Sequence, residues 1–189
     1  MSTTTERLSE KTVELIIYIS SKLGNKQKYG STMLNKALYL IDCMSYLKTG
    51  KPISDFKYIK QGQGPTPSPS QFLPLRETLV ANNELEKVNA DYFGRTQYKF
   101  IAKREPNVKV FNEEEVFLID EVLEKISDLS AAELSDYTHQ LIAWIVAKEK
   151  EELPLHSYLL TKEEPDAKDI EWANKSIKNY KSSLKDSNP

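Results

Sequence analysis

The chain has 189 residues, 39% of them hydrophobic and 29% charged, a composition that suits one compact domain with its own core. Its formal net charge of -2 gives no overall attraction to polyphosphate, so only a local basic patch could bind nucleic acid. A single cysteine excludes an internal disulfide framework and a cysteine-rich zinc site. No apolar run approaches the ~18 residues of a membrane helix and the N-terminus lacks an apolar signal core, so we expect a cytoplasmic protein without membrane contact.

The first predicted elements are two helices that follow a polar segment, residues 1–8, which we expect to be disordered. Ser9 is a good N-cap for the first helix, and Gly24 ends it. Ser31 is expected to cap a second, central helix that Gly50 closes. Apolar residues recur so densely in the central helix that more than one face must be buried; they are Met33, Leu34, Ala37, Leu38, Leu40, Ile41, Met44 and Leu47. The sequence therefore predicts a compact helical domain around a buried central helix.

An extended segment, residues 51–67, follows the central helix and is expected to dock back on it as a stiff loop. Asp42 of that helix must be paired if it faces inward, because an isolated buried carboxylate is too costly. Lys36, Lys60 or Tyr58 could supply the partner. A structural tie between helix and loop is favoured for Asp42 over a catalytic role.

Three capping-box patterns predict where later helices begin. The pairs are Ser68 with Gln71, Asn112 with Glu115, and Ser130 with Glu133. The helix that begins at Ser68 ends near Asn82, and the helix that begins at Ser130 is expected to run through Trp144 to Ile145. The helix that begins at Asn112 should bury Val116, Phe117, Ile119, Val122, Leu123 and Ile126. Residues 85–102 lie between the helices that begin at Ser68 and Asn112, and they favour a β-hairpin. The fold is therefore predicted to be mainly α with one small hairpin.

A change of composition marks the C-terminal segment, which is polar and rich in lysine beyond residue 160. A single narrow apolar seam recurs there at spacings of three and four residues; it consists of Ile170, Ala173, Ile177, Tyr180 and Leu184. We expect an amphipathic helix over residues 161–185 and disorder over 186–189. The seam either packs on its own domain or is offered to another protein, as a helix in a groove or as a dimer contact.

Polar groups that could converge for catalysis are few. The sequence contains no phosphate-binding glycine loop, no nucleophile elbow and no H-E-x-x-H motif. His139 and His156 are the only histidines, which limits a histidine-based metal site. For His139, a structural role with a hydrogen bond to the backbone is favoured over that of a general base. We therefore expect no enzyme activity, no catalytic residues, no metal and no cofactor.

The predicted hairpin carries a local basic patch. Its cations are Lys87, Arg95, Lys99, Lys103 and Arg104, and its aromatic residues are Tyr92, Phe93 and Tyr98. A DNA-contacting wing would use such a combination on phosphates. A solvated hairpin with its aromatic residues in the core is the simpler interpretation, because no adjacent recognition helix is comparably basic.

Several motifs together resemble the Panacea (SocA-like) antitoxin domain family. They are LNKALYL at residues 34–40, GKPI at 50–53, GPTP at 64–67, the segment 129–135, the Thr138-His139 pair and Trp144. Their order and spacing span roughly residues 10–160, so a Panacea-like helical domain is assigned to residues 9–160. The motifs single out as structural residues Lys36, Tyr39, Asp42, Gly64, Pro65, His139 and Trp144.

The resemblance implies a non-enzymatic antitoxin of a bacterial or phage toxin–antitoxin pair, which neutralises a cognate protein toxin by direct binding. Some resembling proteins are adaptors that hand the toxin to a protease, which is a second binding mechanism. We expect the toxin contact on the C-terminal seam and on the exposed part of the 51–67 loop, at Lys57 and Lys60. A homodimer through the seam and a DNA-binding regulator that uses the hairpin as a wing remain the alternatives.

Overall fold

The computed structural model describes residues 8–160 and, further on, 167–168, 170–172, 174–175 and 177. The segments 1–8 and 186–189, predicted to be disordered, lie outside these residues except for Leu8, which packs against the core. Of the predicted C-terminal helix, only the positions just named are described, and all of them are helical and exposed.

The fold is mainly α, with two small β-hairpins in the described part rather than the one predicted. The helices are α1 (Glu10–Leu23), α2 (Ser31–Thr49), α3 (Pro69–Ala81), α4 (Glu113–Ile126), α5 (Ala131–His139) and α6 (Ile142–Val146). The strands are β1 (Tyr58–Gln61), β2 (Gly64–Pro67), β3 (Leu85–Tyr92) and β4 (Arg95–Ala102). Short 3-10 helices lie at Val108–Val110 and Leu155–Leu159.

Helix α2 runs through the middle of the molecule and contacts α1, α4, α5, both hairpins and the 155–159 turn. Its end is as predicted, because Gly50 takes the left-handed conformation with φ 75° and its N–H closes on Tyr46. Its start is not, since Gly30 and not Ser31 is the N-cap. A Cβ on Gly30 would lie 2.6 Å from Cγ of Gln97, so the close approach of β4 favours glycine at this position.

The segment predicted as a loop forms the β1–β2 hairpin, in which Tyr58 pairs with Pro67 and Gln61 with Gly64. The outer edge of β1 is also occupied. Lys60 N–H donates to the carbonyl of Glu151 at 2.9 Å, and the N–H of Leu153 donates to the carbonyl of Tyr58 at 2.7 Å. These bonds join residues about ninety positions apart, which no local pattern could indicate. The predicted hairpin, β3–β4, is present as well.

Two of the three predicted capping boxes form, at Asn112 and at Ser130. The one at Ser68 is wrong, because its side chain makes no cap bond. The side chain of Gln71 binds the preceding segment instead: its oxygen accepts from the N–H of Lys57 at 3.0 Å and its amide donates to the carbonyl of Asp55 at 3.3 Å. Gln71 therefore fastens the strand that leads into β1 to α3.

The last predicted helix is divided. Helix α5 ends at His139, Leu141 adopts an extended conformation with ψ 129°, and α6 begins at Ile142. The break allows the indole of Trp144 to stack on His139, with ring centroids 3.9 Å apart, and its N–H to reach the carbonyl of Gln61 at 3.4 Å. In an uninterrupted helix Trp144, five residues after His139, would lie about 140° around the axis from it, on a different face.

Candidate functional site

Asp42 is the buried polar centre of the domain, with a side chain that is 0% exposed. Its Oδ1 accepts from the backbone N–H groups of Ile53 and Ser54, both at 2.9 Å. Its Oδ2 accepts from the Ser54 hydroxyl and, at 2.6 Å, from the Tyr58 hydroxyl. Of the three partners that the sequence offered, Tyr58 is therefore the correct one. The contact ties α2 to the chain that enters β1.

The electrostatics of Asp42 fit a structural role. Burial raises the pKa of this carboxyl to about 6, while the hydrogen bonds from Ser54, Tyr58 and Ile53 act in the opposite direction. Burial and the neighbouring Asp42 charge raise the pKa of Tyr58 well above its ordinary value. Both oxygens of the carboxylate are thus used by protein donors, which leaves Asp42 little capacity to act on a substrate.

Lys36 does not pair with Asp42 but lies one to two turns earlier on α2, 1% exposed. Its amino group donates to the carbonyl of Gln63, which also accepts from the Ser135 hydroxyl at 3.2 Å. Burial lowers the pKa of Lys36 to about 8. This one carbonyl therefore joins the turn of the β1–β2 hairpin to α2 and to α5.

Gly64, at the start of β2, sits against the same lysine. Its φ is 112°, and a Cβ would overlap the Lys36 amino group and lie 2.7 Å from Oγ1 of Thr138. A side chain is excluded here both by the backbone conformation and by the space. The neighbouring Pro65 is buried and pairs with Lys60 across the hairpin. The Gly-Pro motif is thus explained by how closely the hairpin approaches α2 and α5.

A second cation, Lys60, is held by Trp144. Its amino group donates to the carbonyl of Ala147 at 2.8 Å and lies 4.2 Å from the centroid of the Trp144 ring. His139 stacks on the same indole ring, and its buried Nε2 has no hydrogen-bond partner among the described residues. The backbone hydrogen bond predicted for His139 is therefore not made by Nε2, and the ring is stacked on Trp144. Burial, with the charge of Lys36, lowers the pKa of His139.

Some of the residues predicted to contact a toxin are exposed at the surface. Lys57 is exposed, whereas Lys60 is engaged as just described. Ile170 and Ile177 are helical and each 52% exposed. The remaining seam positions, Ala173, Tyr180 and Leu184, fall outside the described residues. The amino group of Lys60 is thus used inside the domain, and Lys57 is the lysine of this pair that faces solvent.

An open apolar groove of about 600 Å³, which the sequence did not reveal, lies between α2, α4, α5 and the 155–159 turn. Its lining is mainly apolar and includes Met44, Val122, Ile126, Leu129, Leu134 and Tyr158. The hydroxyls of Tyr137 and Tyr158 meet at 2.6 Å on its wall. We call it the α4–α5 groove. Such a concave apolar surface suits a binding partner better than bulk water.

Phe117 was predicted to be buried, and that prediction is wrong. It belongs to the apolar stripe predicted for α4, yet it is 68% exposed. It lies one turn before Glu121, which lines the groove. The predicted apolar stripe was therefore wider than the core needed, and Phe117 presents an exposed ring on the surface of α4.

The basic hairpin is mostly committed to internal contacts. Lys99 donates to the carbonyl of Lys26 at 2.9 Å, and Lys103 pairs with Glu86 at 3.1 Å. Arg104 binds both carboxylate oxygens of Glu14 and also Glu84. Three of the five cations of the predicted patch therefore already have hydrogen-bond or ion-pair partners in the domain. Lys87 lies over the ring of Tyr98.

The aromatic residues of this hairpin were expected in the core, and for two of them that is wrong. Phe93 is 86% exposed at the turn, and Tyr98 is also exposed. Phe93 and Gly94 both have positive φ, at 52° and 73°, as a tight two-residue hairpin turn requires. The conformation of the turn, rather than burial, places the Phe93 ring in solvent.

In the part of the chain that the structure describes, no group of three or more His, Cys, Asp or Glu side chains is arranged to hold a metal ion. No helix among these residues is both long and apolar enough to span a bilayer. Cys43 is buried in α2, where burial raises the pKa of its thiol.

Comparison with known protein families matches residues 34–145 to the antitoxin SocA-like, Panacea domain. The matched region begins inside α2 and ends inside α6, so it contains the Asp42 contacts, the Gly64 approach and the Trp144 stack. No curated protein and no solved structure matches the chain. Because the matched residues make up more than half of the chain, the protein belongs to the family of SocA-like antitoxins with a Panacea domain.

Proposed function

We propose that this protein is the antitoxin of a bacterial or phage toxin–antitoxin pair and that it neutralises a cognate protein toxin in the cytoplasm by direct binding. The observation that carries the proposal is membership of the SocA-like antitoxin family. We further propose that it is not an enzyme. Two of the ionisable residues that the family motif singles out, Lys36 and Asp42, are occupied by hydrogen bonds within the domain, which supports a binding role.

The toxin contact is proposed on the C-terminal seam and on the exposed chain before β1. Ile170 and Ile177 stand seven residues apart, two helical turns, so they share one face of the helix. Both are apolar and half exposed, and such a stripe is stabilised when a partner covers it. Lys57 adds an exposed positive charge at the entry to the β1–β2 hairpin.

The test is expression of the neighbouring gene of the native operon, alone and together with this chain. Growth should stop when the neighbour is expressed alone and resume when this protein is present, and the two proteins should purify together. A neighbour that is harmless or does not bind would leave the family's fold without the proposed function in this chain.

A matched pair of variants locates the contact. Ile177→Asp should abolish rescue of growth and co-purification, because it places a charge in the seam. Trp172→Asp is the control: Trp172 is also apolar and exposed, but it lies about 200° around the helix from Ile170. Retained rescue by Ile177→Asp would remove the seam from the proposal while leaving the antitoxin function standing.

Delivery of the toxin to a protease is the second binding mechanism to test. In an adaptor mechanism the toxin should disappear from cells in the presence of this protein, at a rate that depends on the protease. In simple neutralisation the toxin should accumulate as a stable complex. A pulse-chase measurement of toxin half-life, with and without this chain, separates the two.

A DNA-binding regulator remains the alternative function, and the exposed Phe93 beside Arg95 at the hairpin tip favours it. Such binding to upstream DNA should weaken steeply with salt. Replacing Lys87 and Arg95 by glutamine should abolish it. Lys99→Gln should have less effect on DNA contact, because the amino group of Lys99 is directed to the carbonyl of Lys26.

A further inference from the structure

The exposed seam of the C-terminal helix needs a surface to cover it. Its described members, Ile170 and Ile177, are 52% exposed, and the other described positions between 167 and 177 are exposed too. A short helix with one apolar stripe is marginal in water and is stabilised mainly by packing of that stripe. The described body of the same chain leaves these two side chains half open.

The α4–α5 groove is an apolar surface that the seam could cover. It is open, mainly apolar and about 600 Å³ in volume. Met44 and Leu129 on its margin are only partly buried. A helix that inserts one apolar stripe between α4 and α5 would bury these side chains, as amphipathic helices do in apolar grooves.

The charges around the two surfaces are opposite. Residues 113–136, which form α4 and most of α5, contain nine carboxylate side chains and one base, Lys125. Glu121, Glu133 and Lys125 line the groove itself, and Lys125 pairs with Glu121 at 2.7 Å. Residues 167–185 contain five lysines and two carboxylates. A lysine-rich segment would therefore be drawn to the groove and oriented there by charge as well as by apolar contact.

We propose that the seam of one copy of this chain occupies the α4–α5 groove of a second copy, and that the exchange is reciprocal. Each copy carries both the seam and the groove, so a two-fold dimer satisfies both surfaces of both chains with one kind of contact. The proposal does not depend on a toxin. If the toxin also binds the seam, the dimer and the toxin compete for it.

A second copy fits better than the chain's own segment. In the single chain Ile170 and Ile177 stay half exposed while the groove stays open. The chain leaves the body beside the groove, since Tyr158 lines it and the following Leu159 and Leu160 are exposed. Exchange with a second copy would cover both apolar surfaces at once.

The test is the oligomeric state of the purified full chain, measured by sedimentation over a range of protein and salt concentrations. The wild type should be a dimer whose dissociation constant rises with salt. Ile177→Glu in the seam and Leu129→Lys in the groove should each weaken dimerisation by at least about tenfold. Trp172→Glu, on the opposite face of the helix, should not. Glu121→Lys provides a groove variant on the surface in case Leu129→Lys unfolds.

Mixing the two variants gives the sharpest result. The Ile177→Glu chain keeps its groove and the Leu129→Lys chain keeps its seam, so a mixture can form one intact contact that neither variant can form alone. Recovery of a heterodimer supports the exchange. A wild type that is monomeric at all concentrations overturns the proposal, as does a dimer that resists the seam and groove variants or a mixture that stays monomeric. Protection of the groove by its own chain in a monomer would overturn it too.

Discussion

The hydroxyl of Tyr58 donates to Oδ2 of Asp42 at 2.6 Å, in a site where both side chains are buried. One residue begins the β1–β2 hairpin and the other lies in the second half of α2. The bond, with those from Ser54 and Ile53, therefore fixes where the hairpin stands on the central helix. Through Gln63 and Lys60 the hairpin in turn positions α5 and Trp144.

Tyr58→Phe removes one donor from Asp42 and leaves the ring in place. Because the acceptor is a buried carboxylate, we expect the free energy of unfolding to fall by about 1.5–3 kcal/mol. Urea denaturation followed by circular dichroism measures it. Tyr98→Phe is the control, since Tyr98 is exposed, and it should change stability by less than about 0.5 kcal/mol. Equal effects of the two substitutions would contradict the role given to the Asp42 contact.

The stability contributed by Asp42 should depend on pH in an unusual direction for a carboxylate. Burial raises its pKa from 3.8 to about 6, so between these values the folded state binds more protons than the unfolded state. Stability from this group should then fall as pH rises from about 4 to about 6, by on the order of 3 kcal/mol.

Comparison of wild type with Asp42→Asn isolates this effect. Glu14 and Asp55, whose pKa values are lowered, act in the opposite direction but are present in both proteins and cancel. As the pH rises across that range, the unfolding free energy of the wild type should therefore fall relative to that of Asp42→Asn. A difference that stays constant from pH 4 to pH 7 would show that the folded protein does not raise this pKa.

The sequence predicted well the features whose hydrogen bonds join residues within one helical turn. Ser9 accepts from the N–H of Thr12, and Asn112 and Ser130 form their capping boxes with residues three positions on. The left-handed Gly50 is of the same kind. The capping box at Ser68 fails because its potential partner Gln71 bonds Lys57 and Asp55, 14 and 16 residues away, while the Ser68 hydroxyl contacts that of Ser70.

The features that the sequence could not show depend on distant segments. The β1 strand is recognised as a strand only with β2 and with the chain near Glu151 alongside it. The α4–α5 groove requires α2, α4, α5 and Tyr158 to be assembled first. Asp42 could be identified as a residue that needs a partner, but the choice among Lys36, Lys60 and Tyr58 required the path of the hairpin.

Gly64→Ala should be strongly destabilising. The new methyl group would overlap the Lys36 amino group and crowd Thr138, at a φ of 112°. We expect a loss of at least about 2–3 kcal/mol in unfolding free energy from strain and displaced contacts. Gly62→Ala, two residues earlier in the same hairpin, meets nothing within 4 Å and should be tolerated. Similar denaturation midpoints for the two variants would contradict the close approach of β2 to α2.

The roles of Lys57 and Lys60 can be distinguished by one pair of substitutions, because only Lys60 makes side-chain contacts inside the domain. Lys60→Met loses the bond to the carbonyl of Ala147 and the contact with the Trp144 ring, which should lower the unfolding free energy by about 1–2 kcal/mol. Lys57→Met, at an exposed position, should leave stability within about 0.5 kcal/mol of wild type. Toxin affinity measured on the folded proteins should show the reverse order, with Lys57→Met weaker than Lys60→Met. If Lys57→Met binds the toxin as wild type does, the chain before β1 lies outside the contact and the seam alone remains to be tested.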